Sequence, residues 1–185
     1  NMLSGYSEPL GWNKLSLAPL WLRDKFLSLI EREQMNATLG KPAKIVAKMN
    51  SLCDAGIINA LYDASAAGVD IHLIVRGICC LRAEVPGLSE NIHVRSIVGT
   101  FLEHSRIFYF ENNGNPEIYM GSADWMPRNL DKRVEILFPV ESDELKDEIC
   151  HILHMQLADT KKSHLLQADG TYVKVDQRGK EPVNS

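Results

Sequence analysis

No apolar run in these 185 residues approaches the length needed to cross a bilayer. The chain also opens without the basic-then-apolar pattern of a secretion signal. A basic excess is missing too. Lys and Arg number 20 against 24 Asp and Glu, a net charge of −4, which argues against non-specific nucleic-acid binding and predicts no nucleic-acid partner. A phosphate ligand stays open, because a few arginines in one cleft set the local potential whatever the total. The C-x-x-C spacing of a redox or zinc site is absent: the cysteines are Cys53, Cys79, Cys80 and Cys150, and adjacent Cys79 and Cys80 cannot bridge each other without strain. Reduced, mostly buried thiols are expected. The six histidines are scattered, and His151 and His154, side by side on a predicted helix, read as surface or packing residues rather than a zinc pair. Met is missing from position 1, and the residues after Asn1 read as mid-protein sequence, so a fragment or processed chain is expected.

What is present is an ordinary globular composition, 45% apolar and 24% charged, long enough for one domain with a proper core. Gly5, Pro9 and Gly11 mark residues 1–17 as an irregular lead-in, and residues 18–160 carry the regular patterns. Apolar residues from Leu20 to Met35 predict a helix over 19–36, stopped by Gly40 and Pro42. Lys44 to Met49 reads as a strand. Ser51, with Asp54 three residues on, reads as a helix N-cap, and Gly68 as the left-handed C-cap of that helix. Ile71 to Val75 is a nearly continuous apolar strand, so strand, helix and strand make a parallel β-α-β unit. Further strands are predicted at 92–98, 105–110, 117–120 and 133–140, with Asn113-Gly114 as a hairpin signal. Residues 142–158 predict an amphipathic helix with acidic residues in its first turn. The tail, 161–185, reads as a peripheral extension. The sum is an α/β domain with a mixed central sheet flanked by helices.

Four features carry chemistry. Arg76-Gly77 follows a buried strand, where ligand sites of open α/β sheets gather, and a guanidinium suits phosphate oxygens. A salt bridge to a neighbouring carboxylate explains Arg76 equally well. His104 and Arg106 share one face of a strand with Phe108 and Phe110; an imidazole beside a guanidinium suits attack on phosphorus or proton donation. Gly121-Ser122-Ala123-Asp124 offers backbone N–H groups and a hydroxyl to an anion, with Asp124 placed to orient the imidazole or an arginine; a plain turn is the alternative. Arg128, Asn129, Asp131, Lys132, Arg133 and Glu135 form a charge cluster that reads as a phosphate channel or as a solvated face. Asp54 has a complete structural explanation near its helix start and is left out of the site.

His104-x-Arg106 with Glu111, then Gly121-Ser122-x-Asp124, resembles half of the phospholipase D superfamily signature, H-x-K-x4-D with a later G-S-x-N. Arg106, Glu111 and Asp124 stand at the Lys, Asp and Asn positions. Longer words narrow the resemblance: Lys48 to Asp54, Leu73 to Cys79, Phe101 to Ile107 and Ser122 to Asn129 are similar to the carboxy-terminal catalytic domain of the type 1 polyphosphate kinases, in order and across nearly the whole chain. That resemblance implies a phospholipase D-like fold and reversible transfer of the terminal phosphate of ATP to polyphosphate with Mg2+. It also implies a sister catalytic domain in the same full-length chain that carries the phosphohistidine, and a homo-oligomeric enzyme, cytoplasmic or associated with a membrane surface. It places Arg76 and His104 in the catalytic site. Arg76, Arg106, Ser122 and Arg128 would hold phosphate oxygens, and Glu111 and Asp124 would support them. The chain alone is expected to be inactive or nearly so. Two rival readings stand beside it: a phosphodiesterase working as a homodimer, and a non-catalytic polyphosphate-binding or assembly module.

Overall fold

The computed structural model describes residues 16–17, 22–97, 106–131, 135–159 and 163–174. Its elements run β1 (Ser16–Leu17), α1 (Leu22–Thr38), β2 (Lys44–Met49), α2 (Ala55–Ala67), β3 (Asp70–Val75), β4 (Ile92–Ile97), β5 (Arg106–Phe110) and β6 (Glu117–Gly121). They continue with α3 (Pro127–Asp131), β7 (Ile136–Pro139), α4 (Asp143–Leu157), β8 (Ser163–Leu166) and β9 (Tyr172–Lys174). One nine-stranded mixed sheet has the order β1-β7-β6-β5-β2-β3-β4-β8-β9. Among the described residues β2, β3 and β4 pair in parallel, and every other pairing between these strands is antiparallel.

Alternation along the strands sorts the side chains into two cores. Ile45, Ala47 and Met49 of β2 join Ile71 and Leu73 of β3 under α1 and α2, with Phe26, Ile30, Ile57 and Leu61 packed on them. Val46, Ile74, Ile107 and Ile118 face the other way, against Ile149 and Leu153 of α4. Strands covered on both faces need no polar side, which is why the central ones read as continuous apolar runs.

The caps fix where the elements begin and end. Helix α2 starts at Asp54, whose carboxylate accepts the Ile57 N–H at 3.0 Å, so Asp54 and not the expected Ser51 is the N-cap. It stops at Gly68, whose φ of 105° is left-handed, as the glycine predicted. Ser142 caps α4, with Asp143 and Glu144 in the first turn. The β5–β6 hairpin turns through Asn112, Asn113 and Gly114, all at positive φ, and the Asn112 amide donates to the Asn115 carbonyl at 3.1 Å. Three parts of the chain depart from the sequence reading. The end of the expected irregular lead-in supplies β1, paired to β7, the tail contributes β8 and β9 to the sheet, with β8 paired to β4, and α3 occupies a stretch read only as a charge cluster.

Candidate phosphate-binding site

The carboxyl ends of β2, β3 and β6 and the amino ends of β5 and β7 meet at one edge of the sheet, because β5 runs antiparallel to β2 and β6 antiparallel to both β5 and β7. Arg106 opens β5 there and pairs in register with Gly121. Its guanidinium donates twice to one carboxylate, Nε to Asp124 Oδ1 at 3.0 Å and Nη2 to Oδ2 at 3.3 Å. Asp124 also accepts the Asn50 backbone N–H at 2.8 Å, so the loop after β2 is tied to the loop after β6. Both side chains are mostly withdrawn from water, 16% and 8% exposed, where a charge pair has a defined geometry.

Packing beneath this pair explains its position. Trp125, next to Asp124, is fully buried and stacks on Phe108 of β5 at 5.3 Å; Phe26 of α1 meets both rings, at 4.7 and 5.5 Å. The Trp125 carbonyl accepts the N–H groups of Cys53 and Asp54, each at 2.8 Å. Gly77 donates its N–H to the Asn50 carbonyl at 2.7 Å, an approach so close that an added Cβ would lie 2.8 Å from that oxygen. Gly121 is equally constrained: a Cβ there would run into the Ile136 carbonyl of β7. These glycines are needed for close backbone approach, and neither has a left-handed φ.

The expected site residues divide into three groups. Arg76, Arg106, Ser122 and Asp124 come together at this edge: Arg76 is exposed directly after β3, and its N–H donates to the Met49 carbonyl at 3.1 Å. Arg128 is exposed on α3, which begins two residues after Trp125. Glu111 lies at the other end of β5, where it accepts the Tyr109 hydroxyl and donates its N–H to the Lys44 carbonyl at 3.0 Å; it supports that end of the sheet and not this edge. His104 lies outside the described residues, as do Glu103, Lys132 and Arg133.

Two groups had no site role in the sequence reading. Glu135 is 7% exposed, accepts the Ser122 hydroxyl and takes the Asn129 amide at 2.9 Å, so among the described members of the charge cluster Asn129 and Glu135 are buried structure while Arg128 and Asp131 are exposed. Lys48 is 6% exposed within β2, on the face of Val46. A lysine inside an otherwise apolar strand was the available signal. Among the described residues no three His, Cys, Asp or Glu side chains lie together to hold a metal ion, and the carboxylates at this edge are engaged by Arg106, Asn50, Ser122 and Asn129. The described residues therefore do not fit a resident metal. A rigidly held arginine and an exposed arginine at a strand end suit phosphate oxygens, whereas the Ser122 hydroxyl, expected as a phosphate ligand, donates its proton to Glu135.

A mixed sheet of this order covered by helices defines an α/β domain, and its fold is phospholipase D-like. The phospholipase D family member Nuc from Salmonella typhimurium shares the fold, with a TM-score of 0.59 at 15% identity over 83% of this chain and 96% of its own. Closer likenesses are narrower in kind. The family described as polyphosphate kinase C-terminal domain 2 matches residues 15–185, and the chain belongs to that family. A polyphosphate kinase from Thermosynechococcus vestitus is 55% identical over 172 residues, 93% of this chain and 24% of the relative. The crystal structure of polyphosphate kinase from Porphyromonas gingivalis superposes with a TM-score of 0.89 at 42% identity, over 99% of this chain and 28% of that one. The chain thus spans about a quarter of the length of the curated relatives it matches.

Proposed function

We propose that this chain forms one wall of the phosphoryl-transfer site of a polyphosphate kinase, which moves the terminal phosphate of ATP reversibly onto inorganic polyphosphate. The single observation that carries the reading is the Arg106–Asp124 pair, fixed at the strand ends beside Arg76 and Ser122. Membership of the polyphosphate kinase C-terminal family supports it. Phosphoryl transfer needs positioned cations more than covalent chemistry from the protein, because negative charge spreads over the phosphoryl oxygens. Arg106 serves as such a cation: its carboxylate partner sets its direction before substrate arrives, so little ordering remains to be done in the reaction. Arg76 and Arg128 bind further oxygens of ATP or of the polymer, while the Ser122 hydroxyl, donated to Glu135, steadies the loop after β6.

In this reading the phosphohistidine belongs to a sister domain of the full-length chain. His104, two residues ahead of Arg106 in sequence, assists by hydrogen bonding or proton donation to the transferred group. Magnesium arrives as part of the nucleotide substrate. The isolated chain, lacking one wall of the site, turns over little or nothing.

The test uses the full-length enzyme, γ-labelled ATP and a short polyphosphate. In His104→Ala, acid-labile, base-stable label should persist on the sister domain while transfer to polymer falls. Label that instead maps to the peptide containing His104 in the wild type would make His104 the nucleophile and overturn the assisting role. Unchanged polymer synthesis in both His104→Ala and Arg106→Ala would remove the site itself.

A further inference from the structure

Leu52 bridges Cys79 in parallel fashion, donating its N–H to the Ile78 carbonyl and accepting the Cys80 N–H at 2.8 Å. Leu52 is fully buried, and Cys79 packs on the same core while its thiol contacts the Leu81 carbonyl at 3.7 Å. The next residues in this register, Cys53 and Cys80, therefore turn to the opposite, outer side. Their sulfurs lie 2.8 Å apart, and the Cys80 thiol points at Cys53. Cys80 is exposed and Cys53 half-buried, contrary to the expectation of buried thiols. Adjacent positions in a parallel pair suit disulfide geometry, which asks for Cα atoms about 4.4–6.8 Å apart.

We infer that Cys53 and Cys80 form a reversible disulfide when hydrogen peroxide is the oxidant. The exposed Cys80 reacts first. Its thiolate attacks the O–O bond, an S–O bond forms, hydroxide leaves and takes up a proton, and the sulfur is oxidised to a sulfenic acid. The Cys53 sulfur then gives up its proton and attacks the Cys80 sulfur. The S–S bond forms as the S–O bond breaks, and a second water departs. Two thiols and one peroxide thus become one disulfide and two waters. Cys53 suits the second role and not the first: burial, then its contact with Cys80, push its thiol up to about 12, so free thiolate is scarce and proximity has to drive the closing step.

The bond would clamp the loop after β2 to the loop after β3. These loops carry Asn50 and Gly77, whose hydrogen bonds tie into Asp124.

The experiment treats the reduced full-length protein with a small excess of hydrogen peroxide, blocks remaining thiols and maps peptides without reduction. A cross-linked Cys53–Cys80 peptide, lighter by about 2 Da than its parts and released by dithiothreitol, is expected. Amide exchange at Leu52, Gly77 and Cys80 should slow in the oxidised form. Cys53→Ser should yield no cross-link and leave a sulfenic acid on Cys80 that dimedone traps. A Cys80 that is oxidised while Cys53 of the wild type remains open to alkylation would overturn the proposal. So would a cross-link that uses Cys79, or exchange rates that oxidation leaves unchanged.

Discussion

Asp124 reads from sequence as placed to orient the imidazole or an arginine, and its contacts show that it holds the guanidinium of Arg106. The carboxylate of Asp124 takes Nε and Nη2 and thereby fixes the plane of the guanidinium at the sheet edge. Arg106→Ala should lower polyphosphate synthesis by roughly 100-fold, the scale expected for removing one positioned charge. Asp124→Asn keeps an oxygen for the Asn50 amide but weakens the hold on Arg106, so a smaller loss is expected, with the fold intact by circular dichroism. Steady-state assays of the full-length enzyme measure both. Arg76, Arg106, Ser122 and Asp124 were legible in the sequence because strand ends can be read from apolar runs and small residues. Glu111 was not, because motif spacing says nothing of distance: five residues of extended chain carry it about 16 Å along β5 to the far end of the sheet. Glu135 and Lys48 were hidden for a related reason, since burial of a charged side chain depends on partners from other elements.

At the scale of elements, close packing makes some small residues indispensable. Gly121→Ala should destabilise the domain by about 1–3 kcal/mol, because the new methyl meets the β7 backbone, which cannot give way as a side chain would. The midpoint of urea unfolding reads this out. Asp54→Ala removes the cap of α2 together with the carboxylate that Arg23 of α1 contacts at 2.7 Å; loss of the cap alone is expected to cost about 1–2 kcal/mol. The strand pair β3–β4 carries a pH response. His72 stacks on His93 at 5.2 Å, and burial holds its imidazole below the usual 6.5 although Asp70 pulls the other way. The unfolded chain then binds the proton more readily than the native one, so stability should fall as pH drops below 6.5 and level off above it. His72→Gln should flatten that slope in unfolding curves taken on either side of 6.5. The long elements were legible because their apolar period is sustained: α1 was expected at 19–36 and lies at Leu22–Thr38. The start of α2 was misread because Ser51 and Asp54 are both competent caps, and only the Trp125 carbonyl, distant in sequence, orders residues 53 and 54 outside the helix. The five residues of α3 are too few to show a period.

For the whole molecule, β8 and β9 extend the sheet beyond β4. A chain ending at Asp159 would leave Ile92–Ile97 as an open edge, so it should associate through unpaired backbone groups, seen as a rise in light scattering that the intact chain does not show. The sequence pattern gave no hint of this pairing, since the strands are short and the tail is rich in charge. The same long-range logic applies to the aromatic trio of Phe26, Phe108 and Trp125, which joins a helix, a strand and the loop bearing Asp124. A change of ring size at one of the three leaves either a gap or a clash beneath the arginine clamp. Drift at these positions during evolution is therefore constrained jointly, and an alignment of relatives should show compensating, correlated replacements among them.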